Sequence, residues 1–140
     1  MSSVENTVTF DAVQVGDELP AVSLRAISRT TLALFAGASG DHNPIHIDID
    51  FAKAAGMPDV FAHGMLNMAY LGHLLTAWVP QTAVREFSTR FVSITQIHAV
   101  VTCTGRVVEK RESNLVALEI EAADQNGDVK LAGKAVVELP

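Results

Sequence analysis

The stretch that most limits what this chain can become runs from about Gly64 to Trp78. Its apolar residues, Met65, Leu66, Met68, Leu71, Leu74, Leu75 and Trp78 among them, go most of the way round a helical wheel. A helix apolar on nearly every side has to be enclosed by other structure. It falls short of a bilayer span, because Asn67, Gly72 and His73 interrupt it and a span needs about 20 apolar residues. The rest of the chain supplies the enclosure. Glu86 to Ile94, His98 to Val108, Leu115 to Ala123 and Val129 to Leu139 are rich in Val, Thr and Ile and read as strands, and Asn126-Gly127 marks a hairpin turn between the last two.

One enclosed helix followed by an antiparallel sheet long enough to wrap it predicts an α+β domain, a hot-dog arrangement. Before Pro80 the patterning is helical or irregular. A turn at Val15 to Pro20 leads towards a short strand at about Ala21 to Ala26. Ser28 is placed to cap a helix whose apolar contacts come from Leu32, Leu34 and Phe35 and which Gly37 and Gly40 bring to an end. Asp48 or Asp50 can cap a second, short helix through Ala52, Ala54 and Ala55, stopped by Gly56 and Pro58. With no repeat, low-complexity tract or Pro/Gly/Ser-rich linker, residues 1–140 read as one domain.

Charge and cysteine content exclude several classes. A formal net charge of -6 without a basic run argues against phosphate-driven nucleic-acid binding. The single Cys103 excludes an internal disulfide and a cysteine-rich zinc site. Met1 to Phe10 is polar and acidic, unlike a signal peptide, so a cytoplasmic protein with no membrane segment is expected.

Between the two expected helices lies Ser39-Gly40-Asp41-His42-Asn43-Pro44-Ile45-His46-Ile47-Asp48. Pro44 prevents a continuous helix, so Asp41 and His46, five residues apart, occupy a stiffened bend from which both can face one pocket. A carboxylate and an imidazole sharing one water can exchange protons near neutral pH. Each also has a structural reading: Asp41 as an Asx-turn residue, His46 as a core histidine with one hydrogen-bond partner.

Phe35 to His46 resembles the hydratase motif of the MaoC-like family of (R)-specific enoyl-CoA hydratases and 3-hydroxyacyl-thioester dehydratases. The likeness continues through Asp48, Phe51, Ala52 and Gly56 to Ala62-His63-Gly64-Met65-Leu66, the start of the central helix in that family. The resemblance implies syn addition of water to a trans-2-enoyl thioester of coenzyme A or acyl carrier protein, or the reverse, with no cofactor. His46 is then the base, Asp41 orients the water and helps deliver a proton to the α-carbon, and Asn43 supports the loop. Gly64, first in the buried helix, offers an amide to the thioester oxygen. Its alternative reading is a plain helix-start glycine. The family also implies a dimer, with an identical or a related hot-dog subunit. Two departures stand out: Gly72 occupies the position of a serine found in some members, and Arg90-Phe91 is followed by Val92-Ser93 where a Pro-Val step is common.

Other residues carry less. His42 and His46 have the spacing of a helical zinc pair, but Pro44 spoils that helix, so no metal is expected. His63 is expected to contact a loop carbonyl, His73 to pack or pair within its helix, and His98 to begin a strand. Cys103 reads as a small buried hydrophobe. Arg85, Arg90, Lys130 and Lys134 are candidates for coenzyme or carrier phosphates, equally readable as solvated strand charges. A hot-dog acyl thioesterase and a dehydratase subunit requiring a partner chain are the competing readings.

Overall fold

The computed structural model describes residues 7–140, so residues 1–6, most of the amino-terminal stretch considered above, lie outside it. Five antiparallel strands form one sheet: β1 (Val22–Ser23), β2 (Val84–Phe91), β3 (Thr102–Arg111), β4 (Leu115–Ala123) and β5 (Val129–Glu138). Their order across the sheet is β1-β3-β4-β5-β2. The helices are α1 (Arg29–Ser39), α2 (Ile49–Ala54) and α3 (Gly64–Trp78), with a 3-10 turn at Pro44–His46. The expected hot-dog arrangement is therefore present, with α3 touching β2, β3, β4 and β5.

Enclosure of α3 explains the core. Leu71, Leu74 and Leu75 are buried against Val107, Val116, Leu118, Ile120 and Leu131 of the sheet. Each such side chain removed from water contributes about 1.5–3 kcal/mol, so this contact adds substantially to the stability of the fold. The enclosure is nonetheless one-sided: Met65 is 54% exposed, and Ala69, His73 and Thr76 also face outward. His73 thus lies on the open face of the helix and is not packed within it.

Several expected boundaries shift for identifiable reasons. The third strand begins at Thr102 instead of His98, because His98 has φ 69° and its ladder is broken by a turn in which Ala99 N–H donates to the Gln96 carbonyl. The facing strand shrinks with it, from Ala21–Ala26 to Val22–Ser23. Strand β2 covers Val84–Phe91, earlier than Glu86–Ile94. In α1, Ser28 caps as expected, its hydroxyl accepting from Thr31 N–H. Leu34, however, is 69% exposed, Gly37 lies inside the helix, and the end is set by Gly40 at φ 77°.

The hairpin at Asn126-Gly127 exists, but Asp124 builds it. Gly127 N–H donates to the Asp124 carbonyl, and Asp124 Oδ1 accepts from the Asn126 and Asp128 amides. Gly127 has φ 80° while Asn126 is not left-handed, so this is a longer loop closed by a glycine. Lys130 Nζ stands 3.5 Å from Asp124 Oδ2.

Candidate active site

The bend after α1 turns back on itself through its own side chains. Asp41 Oδ1 accepts from Asn43 N–H at 3.2 Å, and Asn43 Oδ1 accepts from Ile45 N–H at 3.1 Å, capping the 3-10 turn that carries His46. The structural reading of Asp41 is thus realised with one oxygen, while among the described residues no donor reaches the other. Asn43 supports the carboxylate through its backbone amide and the turn through its side chain. Asp48 completes the bend by capping α2, its side chain accepting from the Asp50 and Phe51 amides.

His46 is 9% exposed, and its Nδ1 lies 2.7 Å from the Phe61 carbonyl oxygen. A carbonyl only accepts, so Nδ1 carries the hydrogen and Nε2 keeps a lone pair. The tautomer needed for a base is therefore set by the backbone before α3. His63 closes the cluster: its Nε2 stands 3.2 Å from the Asp41 carbonyl oxygen, the loop-carbonyl contact expected of it. Its ring stacks on that of His46 with centroids 4.0 Å apart and 27° between planes. Burial pushes His63 below the usual imidazole range, helped by the neighbouring His46.

Asp41, His46 and His63 each bring a ligand-type atom within 4.8 Å of the others. Each imidazole gives one ring nitrogen to a backbone carbonyl and keeps the other. Three such atoms fall short of a closed four-ligand metal cage, and they can exchange protons with one shared water. His42 is exposed and outside the cluster.

Gly64 begins α3 with no side-chain cap, and among the described residues its amide has no hydrogen-bond partner. The missing side chain has a packing reason too. A Cβ there would stand 2.9 Å from two ring carbons of Phe91, itself 53% exposed.

From Asp41 an apolar groove of about 510 Å³ runs along the open face of α3, past Met65, Met68 and Ala69 to Gly72 and Phe87. A further cavity of about 400 Å³ shares Ala69, Gly72 and Phe87 with it and continues to Val84. A larger depression of about 560 Å³ on the outer face of the sheet mixes Arg90, Arg106 and Lys134 with Glu18, Glu119 and Glu121 and lies away from the cluster. Of the cations considered for phosphates, Arg85 is taken up by Glu138 at 2.6 Å and Lys130 by Asp124. Cys103 is buried, its thiol pushed up to about 11 by that burial.

Arg29, at the start of α1, grips Asp59 with both terminal guanidinium nitrogens, at 2.9 and 2.7 Å, just before the segment that presents His63. This bond holds the Asp59 carboxyl down to about 2, from an ordinary 3.8. A carboxyl lowered on folding stabilises the fold above its unfolded value. The contribution is therefore expected to persist from neutral pH to about 4 and to vanish as pH falls through about 2. Urea unfolding of the wild type and Asp59→Asn should show a gap that closes over that interval; a gap constant with pH would contradict the pairing.

The fold and this bend define a hot-dog domain of the hydratase and dehydratase class. A family model described as a MaoC like domain matches residues 8–125. The chain therefore belongs to the MaoC-like family. The (R)-specific enoyl-CoA hydratase of Rhodospirillum rubrum is 31% identical over 122 residues, covering 83% of this chain and 82% of that protein. The solved (R)-hydratase of Aeromonas caviae superimposes with a TM-score of 0.81 at 28% identity, covering 92% of this chain and 98% of the other. The beta subunit of fatty acid synthase from Saccharomyces cerevisiae is 27% identical over 139 residues, 91% of this chain but 6% of that protein. The domain is thus shared by stand-alone hydratases and very large synthases. Among the described residues no helix is long and apolar enough to cross a membrane.

Of the residues the sequence singles out, Asp41 and His46 meet around His63, Asn43 caps the turn that carries His46, and Gly64 starts α3. Two neighbours of which it gives no sign are Phe61, whose carbonyl sets the His46 tautomer, and Phe91, which covers Gly64. No sequence signal marks a backbone carbonyl as a partner.

Proposed function

We propose that this chain catalyses reversible syn hydration of trans-2-enoyl thioesters, carried on coenzyme A or acyl carrier protein, to (R)-3-hydroxyacyl thioesters in the cytoplasm. The observation that carries the reading is the committed Nδ1–H of His46, which leaves Nε2 as a base beside the Asp41 carboxylate at the head of an apolar groove. Water adds its oxygen to the β-carbon as one proton passes to His46 Nε2. Asp41 orients that water and helps return a proton to the α-carbon on the same face. Negative charge growing on the thioester oxygen meets the unpaired Gly64 amide at the positive end of α3.

The groove fits a long acyl tail. Met65 to Gly72 is eight residues and seven helical steps, about 10 Å, and the adjoining cavity extends this further. Exposed Phe51, Met65, Phe91, Val92 and Ile94, together with the unpaired edge of β2, support a subunit partner, identical or related. The partner-dependent reading predicts that the purified chain is inactive until a second subunit is added.

The test follows loss of the conjugated double bond in crotonyl-CoA and in a long-chain enoyl-CoA. Hydration of at least one is expected; free thiol released from both saturated and unsaturated thioesters would mean hydrolysis, the thioesterase alternative. Gly72→Phe should cut turnover of the long substrate by about tenfold or more while leaving crotonyl-CoA within about threefold, since a Cβ at Gly72 already lies 3.7 Å from Phe87. Equal effects on both substrates would remove the groove from the reading.

A further inference from the structure

Among the described residues, two buried side-chain atoms lack a hydrogen-bond partner: His63 Nδ1 and Asn67 Oδ1. Both residues are 1% exposed, and they sit one helical turn apart at the start of α3. Asn67 is tied through its amide nitrogen to Thr95 Oγ1. Because His63 Nε2 faces a carbonyl, that nitrogen carries the ring hydrogen, and the unpartnered Nδ1 is a bare lone pair. Leaving a buried acceptor unpaired costs about 1–3 kcal/mol. A phenyl ring would fill the same space, edge-on to Phe35 and flat on His46, without that cost. The histidine therefore has to be explained by something other than packing.

We infer that His63 is a positioning residue of the catalytic unit, holding the Asp41 carbonyl with its Nε2–H and the His46 ring with its face. Carboxylate and base then stay turned towards one water. This inference rests on the hydration reading of the same site. Asp41 and His46 sit on one bend, which holds the Asp41 carboxylate through the Asn43 amide but does not tie it to the His46 ring. His63 reaches the His46 ring and the Asp41 main-chain carbonyl from the N-cap of α3, next to Gly64, so one imidazole links the base, the backbone that carries the carboxylate and the carbonyl-binding amide. The ionisable groups acting on it are His46, whose charge opposes protonation, and Asp41, whose charge favours it. Phe35, whose ring meets it edge-on, and Asn67, one turn further along, carry no charge. A proton on His63 would set a positive charge against the ring that has to accept one during catalysis, so the positioning state is the neutral one.

Two substitutions separate this role from packing. His63→Phe keeps the stack and discards the donor; His63→Gln keeps an N–H for the Asp41 carbonyl. His63→Phe is expected to lower kcat by about tenfold or more with KM within about threefold, as a misplaced catalytic group does. Its thermal stability should not fall, whereas His63→Gln should recover most of kcat. The acid limb of kcat/KM should report two coupled imidazoles in the wild type and one in His63→Phe. Long-range proton–nitrogen NMR of the wild type should show His63 as the neutral Nε2–H tautomer at pH 7. An Nδ1–H tautomer, or an active wild type matched by His63→Phe in kcat and pH profile, overturns the positioning role. A wild type that hydrates no enoyl thioester overturns the proposed function, and the role falls with it.

Discussion

Exchanging His46 for glutamine, or Asp41 for asparagine, should remove most of the hydration rate while leaving the fold intact. Both replacements keep size and polarity. Asparagine at position 41 still offers an oxygen to the Asn43 amide, so the bend should persist while the charge is lost. Glutamine at position 46 can still donate to the Phe61 carbonyl but has no basic lone pair to receive a proton. General acid–base catalysis by one positioned group is worth about 10²–10⁴ in rate, and losses in that range are expected for each variant. The double variant should lose little more than the worse single, because the two groups act on one water. Steady-state kinetics on crotonyl-CoA, with circular dichroism as the check on folding, decides it. Unchanged turnover in either single variant would defeat the assignment.

The largest loss of stability should come from Gly133→Ala, far from the chemistry. Gly133 sits in β5 opposite Thr89 of β2, and a Cβ there would lie 2.2 Å from the Ser88 carbonyl oxygen and 3.0 Å from Thr89 Cα. Both obstacles are backbone, so no rotamer change relieves them. Overpacking of this kind costs about 3 kcal/mol, here concentrated on the pairing that holds the edge strand. A fall in Tm of about 10 °C is expected. Because β2 carries Phe87 on the groove and Phe91 over Gly64, turnover of long substrates should fall with it. A Tm within a degree of the wild type would mean that β2 and β5 are not paired in this register.

The elements most legible from the residues were those specified locally. Ser28 and Asp48 cap their helices as their side chains require, and Leu115–Ala123 spans the expected residues. Pro44 breaks the chain between Asp41 and His46 as its ring must. Expectations failed where a distant segment had the deciding vote. Nothing around Leu34 says that its side of α1 would face outward, and nothing at Ala21–Ala26 says that its partner would be broken by a left-handed His98.

The chain's own chemistry determined that one long apolar helix needed a sheet around it, and that a proline-stiffened bend would carry a carboxylate and an imidazole. Both follow from side-chain polarity and backbone sterics, which act over a few residues. Only the tertiary structure decided which nitrogen of His46 is free, that His63 stacks on it, and that one face of α3 opens into a groove. These depend on the Phe61 carbonyl and on strand β2, brought to the site by packing across the sheet, and no local pattern encodes such a meeting.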